Sequence, residues 1–192
     1  MPKIGMRNAR RTELITATIE TLAENGSLDV RVSDIAKRAG VSSGLAHHYF
    51  GSKDQLYDDS MRYLLVQLGD ASSASQAKAE GPSARIDAIL QTNFSPNQFD
   101  RSTISAWLIF YVRALRKESA LRLLKIYTKR LRSNLLFAIA QMTNRSKAEE
   151  IAEGASALIH GLWLRAALGT GTIFQDEAIK VVSDYINKHI AE

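Results

Sequence analysis

One short stretch holds residues of the types that contact nucleic acid: Ser43, Gly44, Leu45, His47, His48, Tyr49 and Lys53. Ser43 and Gly44 are small enough to let a helix backbone approach base edges, and Leu45 could meet a thymine methyl. His47, His48 and Tyr49 can donate to phosphate oxygens. Lys53 would add a positive charge where the free amides of a starting helix already favour anions. A second set is aromatic. Phe94, Phe99, Trp107, Phe110, Tyr111, Tyr127 and Trp163 are dense for a chain with 7% aromatic residues. Ring faces attract a quaternary ammonium through their quadrupoles, by about 0.5–2 kcal/mol per contact. The same spacing also suits core packing. Trp107 and Tyr111 stand out, because their polar tips need partners when buried.

Other chemistry finds little support. The chain lacks a nucleophile-base pair, a clustered carboxylate pair with helical metal spacing and a Gly-rich cofactor loop after a strand, so it reads as a non-enzyme without a cofactor. With 0 cysteines there is no disulfide or thiolate metal site, which fits a reducing compartment. His160 and His189 are too isolated for a metal site and read as packed or solvated side chains. Gly169-Thr170-Gly171 follows a helical pattern and no strand, so it reads as a helix stop rather than a phosphate loop. The opening Met1–Arg11 is charged with no apolar run behind it, and no later stretch suits a bilayer, so the expected location is cytoplasmic.

A net charge of +5 favours a polyanionic partner only weakly. Basic residues modestly outnumber acidic ones at the N-terminal end. The denser run Arg113, Arg116, Lys117, Arg122, Lys125, Lys129, Arg130 and Arg132 reads as a solvated face.

The elements that must position these residues are all helical. Hydrophobic content of 45%, only 3 prolines and recurrent apolar residues at helical spacing predict an all-α fold of about nine helices. A first helix from about Arg7 to Asn25 presents Leu14, Ile15, Thr18, Ile19 and Leu22 on one face, with Gly26 as its stop. Ser33 and Asp34 suit the start of a short second helix ending at Gly40, and Ser42 can cap a third through Phe50. Ile35, Ala36, Ala39, Gly40, Val41, Leu45 or Ala46, and Phe50 then supply the inward residues and turn of a helix-turn-helix over Val32–Phe50. Ser52 and Gln55 read as a capping box opening a long fourth helix. After the break at Gly81-Pro82, Pro82 is well placed to start a fifth helix ending near Phe94, and the break at Ser95-Pro96-Asn97 precedes helices near 102–117, 119–142, 146–168 and 175–189. The expected division is a helix-turn-helix domain over 1–52 and an effector-binding and dimerisation domain over 53–192, joined by the helix from 53 to about 78.

The run IAKRAGVSSGLAHHYFGSKDQL, from Ile35 to Leu56, resembles the DNA-binding signature of the TetR family of bacterial regulators. The resemblance implies a dimeric, effector-responsive repressor with Ser43, Gly44, Leu45, His47, His48, Tyr49 and Lys53 at a double-stranded operator. NF at Asn93 and Phe94, WLIF at Trp107–Phe110, RLRSNL at Arg130–Leu135 and ALIHGLWLR at Ala157–Arg165 resemble the choline-responsive members of that family, which govern synthesis of glycine betaine from choline. The expected effector residues are Phe94, Trp107, Phe110, Tyr111, Tyr127 and Trp163, for choline or another cationic or amphipathic molecule. Gly154, Ala157 and Gly161 with Leu158 and Leu162 could admit another helix closely, and with Ile179, Val182 and Ile186 they are the expected homodimer seam. A sensorless DNA-binding protein and a small helical enzyme stay open as alternatives.

Overall fold

The helical spacing resolves into α1 (Lys3–Asn25), α2 (Val32–Arg38), α3 (Ser43–Phe50), α4 (Lys53–Gln76), α5 (Gly81–Asn93), α6 (Arg101–Ala114), α7 (Glu118–Ile139), α8 (Arg145–Leu168) and α9 (Gln175–Ala191). The computed structural model describes residues 3–98, 100–169 and 174–191, and no strand occurs among them. Phe99, Thr170 and Gly171 lie outside the described residues.

Packing divides the chain into two compact units. The first takes Met1–Leu65 and Ser105–Leu123, and the second takes Val66–Ile104 and Leu124–Glu192. In the first, α1 buries Leu14, Ile15, Thr18, Ile19 and Leu22, the stripe that the spacing predicts. The buried Thr18 and Thr21 hydroxyls donate to the carbonyls of Leu14 and Ala17, at 2.7 and 2.6 Å, so neither polar atom is left unsatisfied. Arg38 at the end of α2 pairs with Glu20 and Glu24 of α1 and fixes how the two helices meet. In the second unit α9 packs on α8 and α5, with Ile89, Phe94, Leu135, Ile159, Trp163, Val182 and Ile186 among its buried side chains.

Several helix ends differ from expectation, each for a local reason. Neither Ser33 nor Asp34 caps α2. The cap position is Arg31, without a side-chain bond, and Asp34 lies in the first turn, where its charge opposes the positive end of the helix. Asn144 caps α8 by accepting from the Lys147 amide at 3.0 Å. α6 stops at Ala114, because the Arg116 and Lys117 amides both return to the Arg113 carbonyl and tighten the last turn. The box at the start of α4 is half formed. Ser52 Oγ accepts the Gln55 amide at 3.1 Å, while the Gln55 side chain turns away to Asp59. No helix among the described residues is long and apolar enough to cross a membrane.

Candidate DNA-reading and effector sites

The turn between α2 and α3 is built almost wholly from backbone. Gly40 adopts φ 66°, its amide donates to the Lys37 carbonyl at 3.1 Å, and the Val41 amide donates to the Ala36 carbonyl at 2.9 Å. This paired closure satisfies the last carbonyls of α2 and needs a residue that tolerates positive φ. Ser42 then caps α3 by accepting the Leu45 amide at 3.2 Å. Ile35, Ala36, Ala46 and Phe50 are buried, Ala39 is only half-buried, and of the Leu45/Ala46 pair it is Ala46 that faces the core. Burying one face of α3 leaves the other outward. Ser43, Gly44, His47 and His48 are exposed, and Leu45, Tyr49 and Lys53 are half-exposed beside them. The seven residues therefore share one accessible end of the first unit, with an exposed recognition helix and an adjacent cation.

The aromatic residues separate into two sets. In the first unit, α6 carries Trp107, Phe110 and Tyr111. Trp107 meets Phe110 edge-on, with centroids 6.5 Å apart, and Tyr111 at a tilt, at 6.3 Å. The Tyr111 hydroxyl is buried with no hydrogen-bond partner, and burial pushes its pKa well above the usual phenol value. In the second unit, Tyr127 and Trp163 lie nearly parallel, 6.1 Å apart, and both reach Asn93. Tyr127 donates to its side-chain oxygen at 3.4 Å and Trp163 to its carbonyl at 3.2 Å, and Phe94, the next residue in the chain, is fully buried. His160 completes this set, edge-on to both rings at 5.5 and 6.3 Å. Its Nδ1–H donates to the Ser156 carbonyl at 2.7 Å, which leaves Nε2 as a bare acceptor, buried and unpartnered. Burial lowers the His160 pKa, so the ring is neutral near pH 7.

Two family patterns match this chain. Residues 14–59 match the bacterial regulatory proteins of the tetR family, and residues 82–191 match the BetI-type transcriptional repressor C-terminal domain. The chain belongs to the TetR family. It is 53% identical to the HTH-type transcriptional regulator BetI of Brucella anthropi, over 97% of this chain and 96% of that protein. It is 43% identical to BetI of Rhizobium meliloti, over 99% of this chain and 94% of that one. Among solved structures, a transcriptional regulator from Pseudomonas aeruginosa PAO1 superposes with TM-score 0.83 at 25% identity, covering 96% of this chain and 91% of that one. A regulator from Saccharomonospora viridis, solved in complex with choline, has the same fold at TM-score 0.82 and 21% identity, covering 94% and 96%. The chain is thus a BetI-type transcriptional repressor, from a family of DNA-binding regulators and not of enzymes.

For this TetR-family chain, two readings of individual residues need correction. Leu162, Val182 and Ile186, expected at a dimer seam, are 5%, 0% and 0% exposed and belong to the core of one protomer. Gly154 likewise serves its own chain. A Cβ there would overlap the Tyr185 hydroxyl of α9. Exposed Ala157 and Gly161, with half-exposed Leu158 and Ile179, keep an accessible face. The same stripe of α8 continues through Leu164 and Leu168, 45% and 61% exposed, and α9 adds Val181. Their helical spacing from Gly161 was the signal that could have found them. Arg113, read as part of a solvated face, is buried and paired with Asp54 and Asp58, whereas Arg116, Lys117, Arg122, Lys125, Lys129 and Arg130 are exposed. His160, read as a packed or solvated side chain, packs against Tyr127 and Trp163.

Proposed function

We propose that this repressor acts as a cytoplasmic homodimer that binds a palindromic operator and is released from it by choline, so controlling conversion of choline to glycine betaine. Kinship with BetI regulators over nearly the whole chain carries this reading. Ser43, Gly44 and Leu45 approach base edges, His47, His48 and Tyr49 hold phosphates, and Lys53 anchors the backbone at the start of α4. Residues 1–52 read DNA, and 53–192 sense the effector and dimerise, with α4 running from one to the other. Ala157, Leu158, Gly161 and Ile179 contribute to the seam, joined by Leu164, Leu168 and Val181. The exposed apolar stripe supports an isologous contact between copies.

The effector acts through an equilibrium. A ligand that prefers the dimer with more widely separated recognition helices weakens operator binding by its coupling free energy, typically about 1–3 kcal/mol. Two separate ring sets offer faces for a quaternary ammonium, Phe94, Tyr127 and Trp163 in the second unit and Trp107, Phe110 and Tyr111 in the first. A different cationic or amphipathic effector is the second reading, favoured by His160. Its neutral ring offers a hydrogen-bond acceptor rather than a negative charge.

Footprinting on DNA upstream of the protein's own gene tests the repressor reading. A protected inverted repeat is expected, and a flat affinity along the fragment would refute it. Calorimetry with choline and with betaine aldehyde tests the effector, and absence of heat at millimolar choline removes it. The chain has two tryptophans, so Trp107→Phe and Trp163→Phe each leave one emitter to report which ring set choline quenches.

A further inference from the structure

Arg113 lies at the end of α6, one turn beyond Phe110, where an arginine could remain in solvent and complement the helix terminus. Instead it is 4% exposed. Its Nε and Nη2 donate to Asp58 Oδ1 at 3.0 and 2.8 Å, its Nη1 to Asp54 Oδ1 at 2.9 Å, and Nη2 also to the Asp54 carbonyl at 3.1 Å. Lys117 takes the other Asp54 oxygen at 2.8 Å. The guanidinium carbon also sits 5.6 Å from the Tyr57 ring centroid.

Tyr57 is the node of this arrangement. Lys53, the proposed phosphate anchor, places its ammonium 5.6 Å from the same ring, and the Tyr57 hydroxyl donates to the Leu28 carbonyl at 3.1 Å, in the segment joining α1 to α2. Every group belongs to the first unit. A buried ion pair adds little net stability over well-packed apolar residues, but loss of one partner strands the other charge, so such pairs fix register better than they add free energy. Here the stranded charge would be the Asp58 carboxylate, five positions after Lys53, because Asp54 is largely exposed and keeps Lys117.

We infer that Arg113 is a positioning residue, by which α6 holds the DNA-facing end of α4 and the Leu28 segment in their DNA-competent pose and masks the Asp58 carboxylate near Lys53. This rests on the repressor reading. A shift of α6 is delivered to the DNA-reading unit in two ways: the start of α4 loses its register, and the negative charge of Asp58 is uncovered near the phosphate path.

The test compares full-length wild type with Arg113→Met, Asp54→Asn/Asp58→Asn and the triple variant. Hydrogen exchange is read at residues 28–30 and 53–58, and affinity is read on the duplex upstream of the protein's own gene across a salt series. Arg113→Met is expected to speed exchange in those two segments by about tenfold while α8 is unaffected, and to weaken DNA binding by about tenfold, most at low salt. The triple variant is expected to recover part of the affinity, because no carboxylate is left to unmask, while exchange in the two segments stays fast because the latch is still absent. Unchanged exchange in both segments, or exchange raised equally in α8, overturns the inference. So does a triple variant that binds as poorly as Arg113→Met. Wild type that ignores the duplex counts against the repressor reading, and the exchange result then decides the role of Arg113 by itself.

Discussion

Gly154→Ala tests the packing of α8 on α9 through a change of sign. Replacing a mid-helix glycine by alanine ordinarily stabilises by about 1 kcal/mol, because less backbone entropy is lost on folding. Here the new methyl would overlap the Tyr185 hydroxyl and fall 2.6 Å from Cζ and 3.1 Å from Cε1. Rotating only the hydroxyl gives no relief, so the ring must move. It is held by a tilted contact with the His189 ring, with centroids 4.4 Å apart. Overpacking of this kind costs about 1–3 kcal/mol, which outweighs the helix gain and leaves a net loss of about 1 kcal/mol. For a chain of this size that lowers Tm by about 2–4 °C. In a Tyr185→Ala background the obstacle is absent, and the same substitution is expected to raise Tm. The assay is thermal unfolding of the four proteins of this double-mutant cycle at one protein concentration, which removes the contribution of subunit association. Gly154→Ala that stabilises equally in both backgrounds would refute the reasoning.

Other outcomes follow from single residues. Lys53→Ala should weaken binding to operator and unrelated duplex alike and lower the salt slope by about one, whereas a loss confined to the operator would assign Lys53 to base reading. Gly40→Ala, at φ 66°, should cost about 1 kcal/mol in urea denaturation, although its methyl would meet nothing within 4 Å, because the strain is in the backbone. His160 is held neutral by burial, so the unfolded chain binds its proton more readily. Its contribution to stability is full above the unfolded pKa of about 6.5 and is lost as pH falls through that value towards the lowered folded one. Wild type should therefore lose Tm on acidification more steeply than His160→Gln, and parallel curves would contradict this.

The outward face of α3 was legible because local periodicity and the Gly40 turn suffice: once Ala46 and Phe50 are inward, Ser43, Gly44 and His47 must be outward. Arg113 was not legible. Its burial depends on carboxylates more than fifty positions earlier in the chain, and no local pattern marks a basic residue in a basic run as the paired one. The ring-bearing residues could be read as rings, but their grouping around Asn93 and the addition of His160 are tertiary facts. Leu162, Val182 and Ile186 failed for a general reason. An apolar stripe records that it is covered, not whether its own chain or a second copy covers it.

The α2–α3 turn has a consequence for how such a repressor changes its target. The angle of the recognition helix is fixed by the Gly40 and Val41 amides, the Ser42 cap and the inward Ala46 and Phe50. Ser43, Gly44, His47 and His48 contribute nothing to it. Substitutions at those surface positions should alter stability by no more than about 0.5 kcal/mol, even where they rewrite the contacts with DNA. In the proposed reading of DNA, recognition and folding thus fall to different residues of the same eight-residue helix. A duplicated gene could diverge towards a new operator by successive single steps, each yielding a folded and testable protein.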